Sequence, residues 1–174
     1  CMGICSGFAI PVAQQFGAHE ESRMREFVSN GTWLSIVFAV VMTVLTVVYC
    51  ADILRLMNTP EDCFDQAYNY IVVIFAGIPF TFLYNLLSGW LRSLGDSKTP
   101  LKFLAFSAVL NAVLDLILIG GLGFGIVCSA VTTVAAEAAS AVLAAVYMAR
   151  RVPELCPGRG QWRICLLYTS DAAD

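Results

Sequence analysis

The charges in this chain are bunched, and the gaps between them are as long as a membrane is thick. No Asp, Glu, Lys or Arg falls in residues 1–19, 27–51 or 66–91, and Phe103 to Ala149 holds only two, Asp115 and Glu137. A helix rises ~1.5 Å per residue, so ~20 residues cross a hydrocarbon core of ~30 Å. The last stretch suffices for two crossings, with Gly120-Gly121-Leu122-Gly123-Phe124-Gly125 as the turn. The pattern predicts four complete spans, near 31–51, 67–91, 102–119 and 126–149, and part of a fifth over about 1–18. The runs lack the period-2 alternation of a membrane barrel, and each segment in lipid must satisfy its own backbone. The expected fold class is therefore all-α, a polytopic transmembrane helix bundle, with Pro11 and Pro79 tolerated as kinks.

Composition supports this reading. At 59% hydrophobic and 13% charged, the chain lies far from the ~25% charge of a soluble domain. A net charge of −3 supplies no basic field, so no nucleic-acid partner is expected; the lipid bilayer is the expected surroundings.

Orientation follows from Lys and Arg. Loops 18–30 and 92–101 and the segment after 149 share one face, which carries Arg23, Arg25, Arg92, Lys98, Lys102, Arg150, Arg151, Arg159 and Arg163. The opposite face carries only Arg55. The positive-inside rule places the basic face, including 150–164, in the cytoplasm of a cytoplasmic (inner) membrane.

The ends read as unnatural. Cys1 opens within an apolar run with no signal-peptide n-region, as if the sequence entered partway along a helix. Residues 165–174, Cys-Leu-Leu-Tyr-Thr-Ser-Asp-Ala-Ala-Asp, match a translated transposase-type sequencing adapter and are set aside, leaving 151–164 as a cytoplasmic linker. The cysteines show no C-x-x-C spacing, so neither a disulfide framework nor a zinc site is expected. His19 is read as a solvated loop residue.

The polar residues inside the spans carry the functional signal. Asp115 lies where a carboxylate costs at least ~2.5–3.5 kcal/mol, and such a residue normally faces the bundle interior on an ion or proton pathway. Asn111 stands one turn earlier on the same face, where its amide oxygen can join a site of hard oxygen ligands. Thr133 and Tyr70 fall at a similar depth, in the outer half of the bilayer. Glu137, one turn below Thr133 on the same face, reads equally as a relay or cavity-lining charge and as a helix-interface residue. Ser129, Thr133, Glu137, Ala141 and Ala145 recur every four residues, as close helix packing requires.

These residues resemble a known family, the multidrug and toxic compound extrusion (MATE) transporters. The resemblance rests on Gln14-Gln15-Phe16-Gly17-Ala18, on Leu54-Arg55-Leu56-Met57 with Thr59-Pro60-Glu61, and on Leu91-Arg92-Ser93-Leu94-Gly95-Asp96-Ser97-Lys98-Thr99-Pro100. It continues through Leu110-Asn111-Ala112-Val113-Leu114-Asp115 and Gly123-Phe124-Gly125-Ile126, and covers about 1–150. It implies a partial six-helix N-terminal lobe, from the end of the second helix through the sixth, of a twelve-helix pseudo-twofold antiporter. Such a protein exports organic cations or drugs in exchange for H⁺ or Na⁺ and needs no cofactor. The resemblance assigns Asn111, Asp115, Thr133 and Tyr70 to the cation-coupling site. Its remaining partners, a first-helix Asp and a C-terminal lobe, lie outside this sequence. No metal is expected beyond Na⁺, if that is the coupling ion, at these cation-coupling residues. Many relatives carry Gln where this chain has Glu137. Two alternatives differ in function: a lipid-linked oligosaccharide flippase of the same superfamily, which needs a more cationic cavity, and a non-transporting membrane scaffold, which has no use for Asp115. A membrane enzyme is not expected, since the spans hold no nucleophile–base set or phosphate loop.

Overall fold

In the computed structural model, residues 2–18 and 21–152 are described. His19, most of the 151–164 linker and the 165–174 tail lie outside them. The described elements are helices: α1 (Met2–Gly17), α2 (Glu21–Val48), α3 (Cys50–Leu56), α4 (Glu61–Ala76), α5 (Ile78–Ser93), α6 (Lys98–Asp115) and α7 (Ile126–Arg151). A π-helical turn, Leu116–Gly121, extends α6. Four runs are long and apolar enough to cross a membrane: Ser22–Val48, Glu61–Ser93, Lys98–Gly121 and Ile126–Arg151.

Two boundaries differ from expectation. Most of the predicted loop 18–30 is helical, because α2 already begins at Glu21. The charge-free run marks where hydrocarbon is expected to begin, and the helix extends beyond it through Arg23 and Glu26, which are exposed. The 67–91 span is the middle of a longer run broken into α4 and α5. Pro79, at the second position of α5, has no N–H to return to the preceding turn, and the chain bends at Gly77. The site of the bend is set by packing: a Cβ on Gly77 would lie 2.5 Å from Val134 Cγ2. Only a glycine lets this bend approach α7 so closely. At the start of α4, Glu61 and Asp62 occupy the first turn, where carboxylates complement the helix dipole.

The core lies among α1, α2, α5 and α7, built on Val12, Met24, Val28, Phe82, Leu86 and Trp90. Phe38 of α2 meets Phe82 with ring centroids 5.4 Å apart. In lipid, close contact rather than water exclusion joins helices, and glycines supply it. A Cβ on Gly89 would sit 3.4 Å from the Cys5 carbonyl oxygen where α1 crosses α5, and one on Gly31 would sit 3.6 Å from Phe8. On α7 the small residues Ala130, Ala136, Ser140, Ala141 and Ala144 are buried, and this face packs against α4, α5 and α6. By contrast α6 buries only Pro100, leaving Leu101, Leu104, Phe106, Val109 and Val113 outward.

Candidate functional site

The expected carboxylate site forms between the ends of α6 and α7. Asp115 closes the α-helical part of α6, and the widened π turn follows it directly. One Asp115 oxygen accepts a hydrogen bond from the Thr132 hydroxyl, and the other accepts one from Ser129 Oγ at 3.2 Å. One turn below, Asn111 Nδ2 donates to Thr133 Oγ1 at 3.2 Å and to Thr132 Oγ1 at 3.3 Å. Thr133 in turn donates to the Ser129 carbonyl at 2.8 Å. Thr132 is buried, while Asp115, Asn111 and Thr133 are half-buried.

Among the described residues no cation pairs with Asp115, and the side-chain oxygen Oδ1 of Asn111 accepts no hydrogen bond. The cluster therefore offers one uncompensated carboxylate with neutral hydroxyl and amide oxygens beside it. Such a set suits a proton or a hard monovalent cation and lacks the nitrogen and sulfur ligands a transition metal prefers. No group of three or more His, Cys, Asp or Glu that could hold a metal ion occurs among the described residues.

Below this cluster, toward the ends of α5 and α7, a cleft of about 400 Å³ opens between α5, α6 and α7. Asn111 and Thr133 stand on its wall, as does Glu137. Asp115 does not border it, so the Asn111–Thr132–Thr133 layer separates the carboxylate from the cleft. Glu137 Oε2 accepts a hydrogen bond from Thr81 Oγ1 of α5 at 2.5 Å.

Of the four residues the resemblance assigns, Asn111 and Thr133 are hydrogen-bonded to each other, and Asn111 reaches Asp115 through Thr132, whereas Tyr70 lies outside this hydrogen-bond network. Tyr70 is half-buried on α4, away from the cleft wall, and hydrogen-bonds to none of the three among the described residues. Thr132, Ser129 and Thr81 bind the carboxylates, and sequence reasoning passed over two of them while reading Ser129 as packing. The available signal was Ser129–Thr132 at i, i+3, which aims two hydroxyls at the same neighbouring helix.

At the far end of the bundle, Asp96 binds the α5–α6 turn to α7. Its Oδ1 accepts from Thr99 N at 3.0 Å and its Oδ2 from Tyr147 Oη at 3.3 Å. The Thr99 hydroxyl and then its backbone N–H hold this carboxyl below the ordinary value, outweighing the opposite effect of burial.

Comparison with known proteins gives one consistent set. The MatE family profile matches residues 1–117. The chain is 38% identical over 154 residues to "Probable multidrug resistance protein YoeA" of Bacillus subtilis, covering 86% of this chain and 33% of that protein. It is 24% identical over 136 residues to "Multidrug export protein MepA" of Staphylococcus aureus, covering 78% of this chain and 30% of that one. The fold superposes on an inward-facing multidrug resistance MATE family transporter of the MOP superfamily with a TM-score of 0.81 at 24% identity, over 92% of this chain and 38% of that one. This chain thus spans about a third of the length of the curated relatives it matches.

Proposed function

The chain belongs to the MATE family of multidrug transporters, and from that premise we propose that it is part of a cation-coupled antiporter of the cytoplasmic membrane. The whole protein exports organic cations in exchange for H⁺ or Na⁺, and this segment supplies most of its N-terminal lobe. Asp115 holds the entering ion, with Asn111, Thr133 and the buried Thr132 as neutral partners. Tyr70 is the further partner that the family resemblance assigns. The observation that carries the reading is an intramembrane carboxylate with hydroxyl donors and no cationic partner among the described residues. A structural role needs no such group, and lipid makes it costly. Binding at Asp115 biases the equilibrium between outward- and inward-open states, which the lobes exchange by rocking.

The test uses the full-length transporter carrying this segment, reconstituted in proteoliposomes under an imposed H⁺ or Na⁺ gradient. Asp115→Asn is expected to bring gradient-driven efflux of a fluorescent organic cation to background while the protein stays folded. Unchanged flux would leave the scaffold reading in place. The gradient that drives wild-type flux identifies the ion.

A further inference from the structure

Where α5 turns into α6, the end of the bundle gathers cations that the described chain does not neutralise. Lys98 and Lys102 stand one turn apart at the start of α6, and both are exposed. Tyr147 of α7 lies against the same turn. Its hydroxyl donates to Asp96 at 3.3 Å and lies 3.5 Å from the Thr99 hydroxyl, and its ring meets that of Phe103 nearly edge-on at 5.8 Å. Arg150 and Arg151 follow Tyr147 by three and four residues, so they stand one turn further out on α7, also exposed. The Asp96 tie therefore holds two basic pairs at one rim, on neighbouring helices.

The charge there is left over. Between Arg92 and Lys102 and along the last turn of α7 the one carboxylate is Asp96, and both of its oxygens are engaged, by Thr99 and Tyr147. No ion pair reaches the four cations among the described residues. Arg92, exposed at the end of α5, adds a fifth: its Nε donates to the Ser88 carbonyl at 3.1 Å, and its two terminal nitrogens have no hydrogen-bond partner among the described residues. Like charges gathered on one rim repel one another, so the rim is more stable with an anion on it. The cations also close two runs that are long and apolar enough to cross a membrane, Lys98–Gly121 and Ile126–Arg151. That is the depth of phospholipid headgroups. Below Lys98 and Lys102 the same face of α6 continues as Ala105 and Val109 with Leu101 beside them, all exposed and apolar.

We propose that this rim is a binding surface for an anionic phospholipid, its phosphate among Lys98, Lys102, Arg150 and Arg151 and an acyl chain along Leu101 and Val109. Arginine grips a phosphate through two parallel N–H groups, and lysine attracts it as a point charge. A free phosphate ion would meet the same charges but gain nothing from the apolar strip. The surplus of basic residues that sets orientation does not require this arrangement, since cations spread over one side, paired or not, satisfy it. The surface needs only the rim and a bilayer, whatever the lobe transports.

The test uses the full-length transporter carrying this segment, purified in mild detergent with equal amounts of phosphatidylglycerol and phosphatidylcholine of matched acyl chains. Native mass spectrometry counts the lipids that stay bound. Wild type is expected to retain the anionic lipid at least about tenfold over the zwitterionic one, and each cation removed should cut that ratio about fivefold. Lys98→Gln with Lys102→Gln, or Arg150→Gln with Arg151→Gln, therefore brings the ratio close to one, while Lys98→Arg with Lys102→Arg keeps it. Arg55→Gln, the same loss of charge as Lys98→Gln but at the opposite end of the bundle, leaves it unchanged. Because each variant is scored by a ratio of two lipids on the same protein, a lower yield of folded protein cancels. A ratio near one in wild type, one that survives both double substitutions, or one that falls as far with Arg55→Gln overturns the proposal. So does displacement of the lipid by glycerol 3-phosphate, which has the phosphate and no chain, beyond the effect of potassium chloride at the same ionic strength.

Discussion

At the scale of single residues, the site was legible wherever chemistry alone is unusual. An Asp within an apolar run demands an explanation, and Asn111 one turn before it and Glu137 on the facing helix could be read the same way. Thr132 could not, because hydroxyls in membrane helices usually bond back to their own helix and cost nothing to place. The Thr132 hydroxyl also lies 2.8 Å from the Ser129 carbonyl, an alternative acceptor for its one proton. Its second role appears only once α6 stands beside α7. Tyr70 differs in kind: counting residues from a helix end gives a depth, which alone does not say whether its side chain joins the cluster. If Thr132 tunes the carboxylate, Thr132→Val removes a donor to Asp115 and an acceptor from Asn111 at nearly constant volume. A hydrogen bond to a charged group is worth ~1.5–3 kcal/mol, and its loss destabilises the ion-free carboxylate relative to the loaded one, so the ion concentration giving half-maximal flux should fall about tenfold or more. Ser129→Ala, which removes a longer bond of 3.2 Å, should shift it less. Initial efflux rates against ion concentration distinguish the two. Equal shifts would mean that Thr132 only packs.

Among the elements, the four membrane-length runs were visible in charge spacing, but the bend between α4 and α5 needed a partner to locate it. Pro79 announced a kink, whereas the choice of Gly77 as its apex depends on Val134, far along the chain on α7. Gly77→Ala places a Cβ 2.5 Å from Val134 Cγ2, an overpacking that costs about 1–3 kcal/mol. Thermal unfolding in detergent should show the loss, and Val134→Ala should restore most of it in the double variant. Failure of that rescue would place the strain elsewhere. The α5–α6 turn gives a pH-dependent counterpart. Since Thr99 and Tyr147 favour the Asp96 carboxylate, its folded pKa lies below its unfolded value of ~3.9. The stabilisation is then complete above that value and fades as pH falls through the lower folded one. Asp96→Asn should therefore lower the Tm by a constant amount from neutral pH to about 5. The gap to wild type should close on further acidification. A gap that stays constant into that acidic range would show that the tie does not depend on the charge.

For the whole molecule, orientation decides what the site can do. The start of α2, the α5–α6 turn and the end of α7 lie on one side of the bundle and carry Arg23, Arg25, Arg92, Lys98, Arg150 and Arg151, whereas Arg55 of α3 lies on the other. The expectation that the basic side is cytoplasmic puts Asp115, near the opposite end of α6, close to the outer surface, where an entering ion first arrives. Reversed, the same carboxylate would load from the cytoplasm, and the ion gradient could no longer drive export. Cys63, exposed in the first turn of α4, is a natural reporter on Arg55's side. Ser97, exposed in the α5–α6 turn, can report on the basic side. In full-length protein retaining Cys63 alone, a membrane-impermeant maleimide should label intact cells. With Cys63 replaced and Ser97→Cys introduced, labelling should require permeabilised cells. The reverse pattern would overturn the coupling scheme even if Asp115 proved essential, because an ion site on the wrong side of the membrane is not a site for antiport.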